Sequence, residues 1–129
     1  MMARRVHPLV AGVNEPRTFA IVPSSLAVEL HVSLSLDQRP GVRCLVDQLL
    51  KSGTAVGANL EEAKAGSSRR DFVRYVEIAL REARETVYWL RIYTALHLGS
   101  AEEVESLRGE GEQIARILGA IVVSAKRSF

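Results

Sequence analysis

The chain has 129 residues, of which 47% are hydrophobic and 25% charged, and its net charge is +2. That length suits one domain with one core, and a charge so close to neutral confines any nucleic-acid contact to a local patch. The lone cysteine, Cys44, excludes an internal disulfide and a cysteine-based metal site.

Cys44 stands among Leu and Val residues and reads as a buried, inert thiol. Residues 1–17 contain Pro8, Gly12, Asn14 and Pro16 without a period, the pattern of a loose tail. The bundle domain is expected over 18–129. Residues 19–36 are apolar at first sight, but Pro23, Glu29 and His31 interrupt them. The expectation is therefore no membrane span, and a cytoplasmic, reduced protein.

Residues 28–36 alternate strictly, which is the strand signal. No second strand follows, and a lone strand leaves its backbone unpaired. Ser24 or Ser25 is placed to cap a helix over about 25–36, and that is the expected element. A strand paired between chains is the alternative.

Asp37 to Gly41, with Pro40, reads as a turn. After it the period changes. Val42, Leu45, Leu49, Gly53, Val56, Leu60 and Ala63 follow spacings of three and four, one face of a helix. Glycine inside a helix costs about 1 kcal/mol relative to alanine. Gly53 and Gly57, four apart, are thus explained by a neighbouring helix pressing on bare backbone.

Gly66 suits a C-cap, and Ser67 or Ser68 an N-cap for the next helix, over about 69–97. There Phe72, Val76, Ala79, Ala83, Val87 and Leu90 form one apolar face. Ile78, Trp89, Ile92, Tyr93 and Leu96 form a second stripe. A surface helix needs only one apolar face, so the second predicts a further helix or another subunit against it. Gly99 reads as the next C-cap. Ser100 opens the last helix, with Glu102 and Glu103 in its first turn. Val104, Leu107, Gly111, Ile114, Leu118, Ile121 and Ala125 form a bundle seam, and Gly109 with Gly111 predicts fraying or a bend. Four helical segments with short links predict an all-α fold, an antiparallel up-down four-helix bundle.

The run Ser52, Gly53, Gly57, Ala58, Asn59, Glu62 and Ala63, then Ser68, Arg69, Arg70, Asp71 and Phe72, resembles the signature of the 23S rRNA intervening-sequence protein family. The segment from Ala79 to Thr86 and the pair Trp89–Leu90 also look like that family's long third helix. The similarity covers about 26–127, and the alternating first segment departs from it. The resemblance implies a four-helix bundle that assembles with itself into a ring, usually a pentamer, with no enzymatic activity. A more distant likeness, to the accessory protein of diversity-generating retroelements, implies a reverse transcriptase and RNA or DNA as possible partners.

The chemistry is sparse. Glu61, Glu62, Glu77, Glu82 and Glu85 invite a di-metal reading, but that site wants Glu-x-x-His on two helices, and the spacing is absent. Asn59 and Glu62, one turn apart, read as a polar pair bonding to a neighbouring helix or to the turn at 67–71, with Glu62 on Arg69 or Arg70. Ser52, Ser67 and Ser68 read as caps and packing residues, and no phosphate-binding loop follows Gly57. No catalytic residue, metal site or cofactor is expected. Arg69, Arg70, Arg74, Arg81, Arg84 and Arg91 are the candidate nucleic-acid-binding residues. The last five share roughly 100° of arc. Glu77 and Glu85 share that face and are placed to neutralise it at three- and four-residue spacing. Tyr75, Tyr88 and Trp89 read as packing residues. The function expected is a homo-oligomeric scaffold that binds RNA or DNA through this stripe; the alternative is a protein–protein module without nucleic acid.

Overall fold

A computed structural model of the protein describes residue 34 and residues 37–127. The expected tail over 1–17 and the helix-or-strand question over 25–36 lie outside the described residues, apart from Leu34. Three helices make up the regular structure of the described part: α1, Val42–Ala65; α2, Arg69–Ala95; α3, Ala101–Arg127. No strand occurs among the described residues. None of these helices is long and apolar enough to cross a membrane.

Each helix starts where the sequence offers a start. The Arg39 amide donates to Asp37 Oδ1 at 2.9 Å, an Asx-type turn. The Arg39 guanidinium also grips that carboxylate, and holds its pKa below the ordinary range. Gly41 then takes φ +84 at the head of α1. Ser68 Oγ accepts from the Asp71 amide at 3.1 Å and caps α2. Ser100 Oγ accepts from the Glu103 amide at 3.4 Å at the head of α3. Acids follow at Glu102 and Glu103, and Lys126 and Arg127 close the last turn, as the helix dipole favours.

The end of α2 corrects the expectation of Gly99. His97, at φ +56, takes the left-handed position that ends the helix, and Gly99, at φ +70, follows in the link. The His97 amide donates to the Thr94 carbonyl at 3.2 Å, and the Leu98 amide reaches the Tyr93 carbonyl at 2.9 Å. This is the Schellman pair of bonds, and buried Leu98 and Tyr93 belong to one apolar cluster beneath it. Gly66, by contrast, ends α1 at an ordinary φ of −58.

Both α1 and α3 pack along α2, but they do not run side by side with each other. Their side chains meet over α2 in two apolar clusters. One joins Val56 and Leu60 to Phe72, Val76 and Ala79, and to Ile114 and Leu118. The other joins Val42 and Val46 to Leu90, Tyr93 and Leu98, to Val104 and Leu107, and to Leu34. Helix α3 runs unbroken through both of its early glycines, against the expected fraying. Gly111 is buried there because a Cβ would stand 2.8 Å from Val87 Cγ2. Gly109 meets nothing within 4 Å. Cys44, expected inside, is exposed. Two residues of helix turn it about 200° from buried Val42.

Candidate functional site

The basic residues of α2 fall on one side because positions 70, 74, 81, 84 and 91 fall within roughly 100° of arc at about 100° per residue. Arg69, Arg70, Arg74, Arg81, Arg84 and Arg91 are all exposed. The expected neutralisation by Glu77 and Glu85 does not occur. Glu77 turns to α3, where Lys126 Nζ lies 2.5 Å from its Oε1. Glu85 accepts instead from Trp89 Nε1 at 3.2 Å. Among the described residues Arg70, Arg81 and Arg84 therefore form no ion pair, while Arg74 lies 5.3 Å over the Tyr75 ring. A cation over an aromatic face keeps its charge, so this contact leaves the stripe basic.

Where α2 meets α3, the stripe continues into a cleft of about 300 Å³, lined by Arg84, Val87, Arg91, Glu112, Ala115 and Arg116. Arg116 had no part in the stripe as read from sequence, because it comes from the other helix. Glu112 Oε1 takes Arg108 Nη1 at 2.6 Å and Arg91 Nη2 at 3.6 Å. Arg108 also pairs with Glu105, whose pKa it lowers. Tyr88, expected to be a packing residue, is a correction. It is 55% exposed, not packed. Its ring meets Trp89 edge-on, with centroids 5.2 Å apart at 67°. A signal for it existed: Tyr88 is seven residues after Arg81, almost two full turns.

The second apolar stripe divides. Ile78, Trp89 and Ile92 are half-buried, and Leu96 is 51% exposed. Tyr93 does not belong with them: it is wholly buried in the chain's own core. It lies only about 40° around from Trp89, and that is enough to turn its ring inward.

The α1 motif also divides. Gly53 is buried, but Gly57 is half-buried and a Cβ there would meet nothing within 4 Å. Among the described residues no neighbouring helix presses on Gly57. Asn59 Nδ2 donates to the Ala55 carbonyl of its own helix at 2.8 Å, and Glu62 is exposed. The link from α1 to α2 is instead a hydroxyl pair: Thr86 Oγ1 donates to Ser52 Oγ at 3.0 Å, with both side chains buried. Ser52 in turn donates to the Leu49 carbonyl at 3.2 Å. Nearby, burial and then the Glu85 charge push the Glu82 carboxyl above its ordinary value. Among the described residues no three His, Cys, Asp or Glu side chains gather as metal ligands would.

The model of the family described as 23S rRNA-intervening sequence protein matches residues 25–120. A crystal structure of a protein with unknown function, from the S23 ribosomal protein family of Bacteroides thetaiotaomicron VPI-5482, is similar in sequence and fold. It is 33% identical, with a TM-score of 0.71 over 82% of this chain and 96% of that one. No curated protein matches the chain.

Proposed function

Because the chain belongs to the 23S rRNA-intervening sequence protein family, we propose that it is a non-enzymatic helical scaffold that binds RNA or DNA through the arginine face of α2. One observation carries this reading: Arg70, Arg81 and Arg84 stand exposed, while the acids expected to neutralise them are bound elsewhere. Unpaired guanidinium groups on one helix face are what phosphate backbones require.

The scaffold itself is an antiparallel four-helix bundle in this reading. Two helices that flank a third without packing on each other leave the fourth corner of a square. Leu34, buried among Val42, Leu90 and Tyr93, supports a helix from the preceding segment in that corner. The stripe of Ile78, Trp89, Ile92 and Leu96 then serves self-association, into a ring such as a pentamer, in the cytoplasm. A ring multiplies a modest basic patch several times over.

The test is titration of a labelled structured RNA and a DNA duplex at low and moderate salt. The control is the double variant Arg74→Glu/Arg81→Glu. Binding that weakens with salt and vanishes in the control is expected. Binding that is absent at low salt sinks the reading. Light scattering tests the assembly: Trp89→Asp/Ile92→Asp should reduce the mass to that of one chain, and a wild-type monomer refutes it. The half-exposed stripe favours one second reading, a module that docks a protein partner without nucleic acid. Salt-insensitive capture of a protein by the wild type, without RNA or DNA binding, would select it.

A further inference from the structure

We infer that the nucleic acid held by this protein is single-stranded, with a phosphodiester in the cleft between α2 and α3 and a neighbouring base stacked on Tyr88. The inference rests on the nucleic-acid reading above and names the strand, the contact and the residues.

Three guanidinium groups from two helices line the cleft: Arg84 and Arg91 from α2, and Arg116 from α3. They come together because the helices approach closely at Gly111, whose missing side chain leaves Val87 against the α3 backbone. The lining carries one carboxylate, that of Glu112, and it is already committed to Arg108 and Arg91. Among the described residues neither Arg84 nor Arg116 has an ion-pair partner. Four arginines, at 84, 91, 108 and 116, face two glutamates, at 105 and 112, which leaves the cleft two positive charges in excess. Val87 and Ala115 give it apolar walls, next to which an anion's attraction to the guanidinium groups is less screened than in open water. Arginine forks match phosphate oxygens in pairs.

The choice of strand comes from Tyr88. It stands four residues after Arg84 and three before Arg91, so on the helix surface it neighbours both. It also lies about 100° around from Trp89 and about 40° from Ile92, at the border between the basic face and the apolar stripe assigned to self-association. Trp89 supports the Tyr88 ring edge-on, and Glu85 holds Trp89 through its indole N–H. This leaves a supported, exposed aromatic ring one helical turn from an anion cleft, comparable to the reach from a phosphate to its own base. A duplex keeps its bases inside the stack, so such a ring serves only unpaired bases.

The experiment compares fluorescent oligouridylate and oligothymidylate of about twelve nucleotides with a duplex of the same length. Two variants, Tyr88→Ala and Arg116→Glu, are compared with wild type. Both positions are exposed, and unchanged thermal unfolding verifies their fold. The single strands should bind more tightly than the duplex. Tyr88→Ala should weaken them by about five- to a hundredfold, the range for loss of one stacked base, and leave the duplex unchanged. Arg116→Glu should weaken them about tenfold or more, since it reverses a charge in the cleft. Trp89, the only tryptophan, should be quenched by oligouridylate in the wild type and not in Tyr88→Ala. Either single strand bound in this way supports the inference, and the tighter one names the sugar. A loss in Arg116→Glu with none in Tyr88→Ala refutes the single-strand assignment. If Arg74→Glu/Arg81→Glu abolishes binding while both new variants bind as wild type, the inference falls and the nucleic-acid reading stands. If no oligonucleotide or duplex binds at low salt, both fall.

Discussion

Helix α2 is sealed to its two neighbours by different chemistry. Against α1 the closure is internal: the Ser52 and Thr86 hydroxyls, 1% and 2% exposed, bond to each other inside the seam. Against α3 it comes from close backbone approach at Gly111 and from charges on the rim, Glu77 with Lys126 and Arg91 with Glu112. The α1 seam spends its polar groups on itself. The α3 seam keeps its polar groups outside, and two guanidinium groups at its mouth, those of Arg84 and Arg116, have no ion-pair partner among the described residues. Among the described residues the cluster of arginines therefore lies on the α3 flank of α2, although both flanks bury apolar side chains of similar kind.

The largest expected effect is at the α3 seam. Gly111→Val places branched carbons where even a Cβ would lie 2.8 Å from Val87. Overpacking of this sort costs about 1–3 kcal/mol, and the upper half is expected because a residue on each helix must yield. Gly119, on the same helix, meets nothing within 4 Å, so Gly119→Ala should instead gain up to about 1 kcal/mol from helix propensity. Urea unfolding of the two variants decides. Equal effects would mean that Val87 swings aside and that the seam is not closed by backbone approach.

At the α1 seam the expected effect is smaller and coupled. Ser52→Ala and Thr86→Val each remove one hydroxyl and leave its partner inside the seam, at about 1 kcal/mol apiece. Each hydroxyl keeps a second acceptor, Thr86 the Glu82 carbonyl at 2.8 Å and Ser52 the Leu49 carbonyl at 3.2 Å, so neither single loss should exceed that. The double variant leaves neither hydroxyl stranded and should cost less than the sum. A double-mutant cycle that is additive within about 0.3 kcal/mol would remove the hydroxyl bond as a stabilising contact.

Tyr93 supplies the contrast within the second cluster. Among the described residues its buried hydroxyl has no hydrogen-bond partner, and burial, with the Asp47 charge, pushes its pKa up. A stranded buried hydroxyl is a net cost. Tyr93→Phe keeps the ring in the core and should leave stability unchanged or raise it by up to about 1 kcal/mol, where Ser52→Ala lowers it. A clear loss in thermal unfolding would reveal a partner for that oxygen.

How much of this was legible in the sequence follows from what each signal encodes. Periodicity encodes which residues turn inward, and it located three helices and most of the core. It blurs at the edge of a face: Tyr93 and Trp89 sit about 40° apart, yet one is core and the other half-exposed. Cap residues encode a hydrogen bond to the helix's own first turn, so Ser68 and Ser100 were readable. The left-handed turn at His97 was not. Glycine is the usual mark of such a turn, and here Gly99 lies two residues beyond it. Spacing within one helix also cannot tell which acid an arginine meets when another helix competes. Lys126 draws Glu77 to α3, and Arg116 enters the cleft from there. The signature of residues 52–72 identified the family but not the packing of the described part, where a Cβ at Gly57 would meet nothing within 4 Å.

The smallest expected effect is in the pH dependence, where the two flanks should pull in opposite directions. Glu82, toward α1, has its pKa raised from the ordinary 4.5 by burial and by Glu85. A carboxyl raised on folding is a penalty when ionised, and the penalty sets in as pH rises past its unfolded value. Glu105, on α3, has its pKa lowered by Arg108. Its contribution is present above the unfolded value and is lost as pH falls through the folded one. Glu82→Gln should therefore raise the urea midpoint at pH about 7 and leave it unchanged at pH about 3, where both forms are neutral. Glu105→Gln should lower the midpoint more at the higher pH than at the lower, and by less than Glu82→Gln raises it, because an exposed pair contributes little. If Glu82→Gln lowers the midpoint as Glu105→Gln does, the charges at the α1 flank are not under the strain assigned to them, and the contrast between the two seams rests on packing alone.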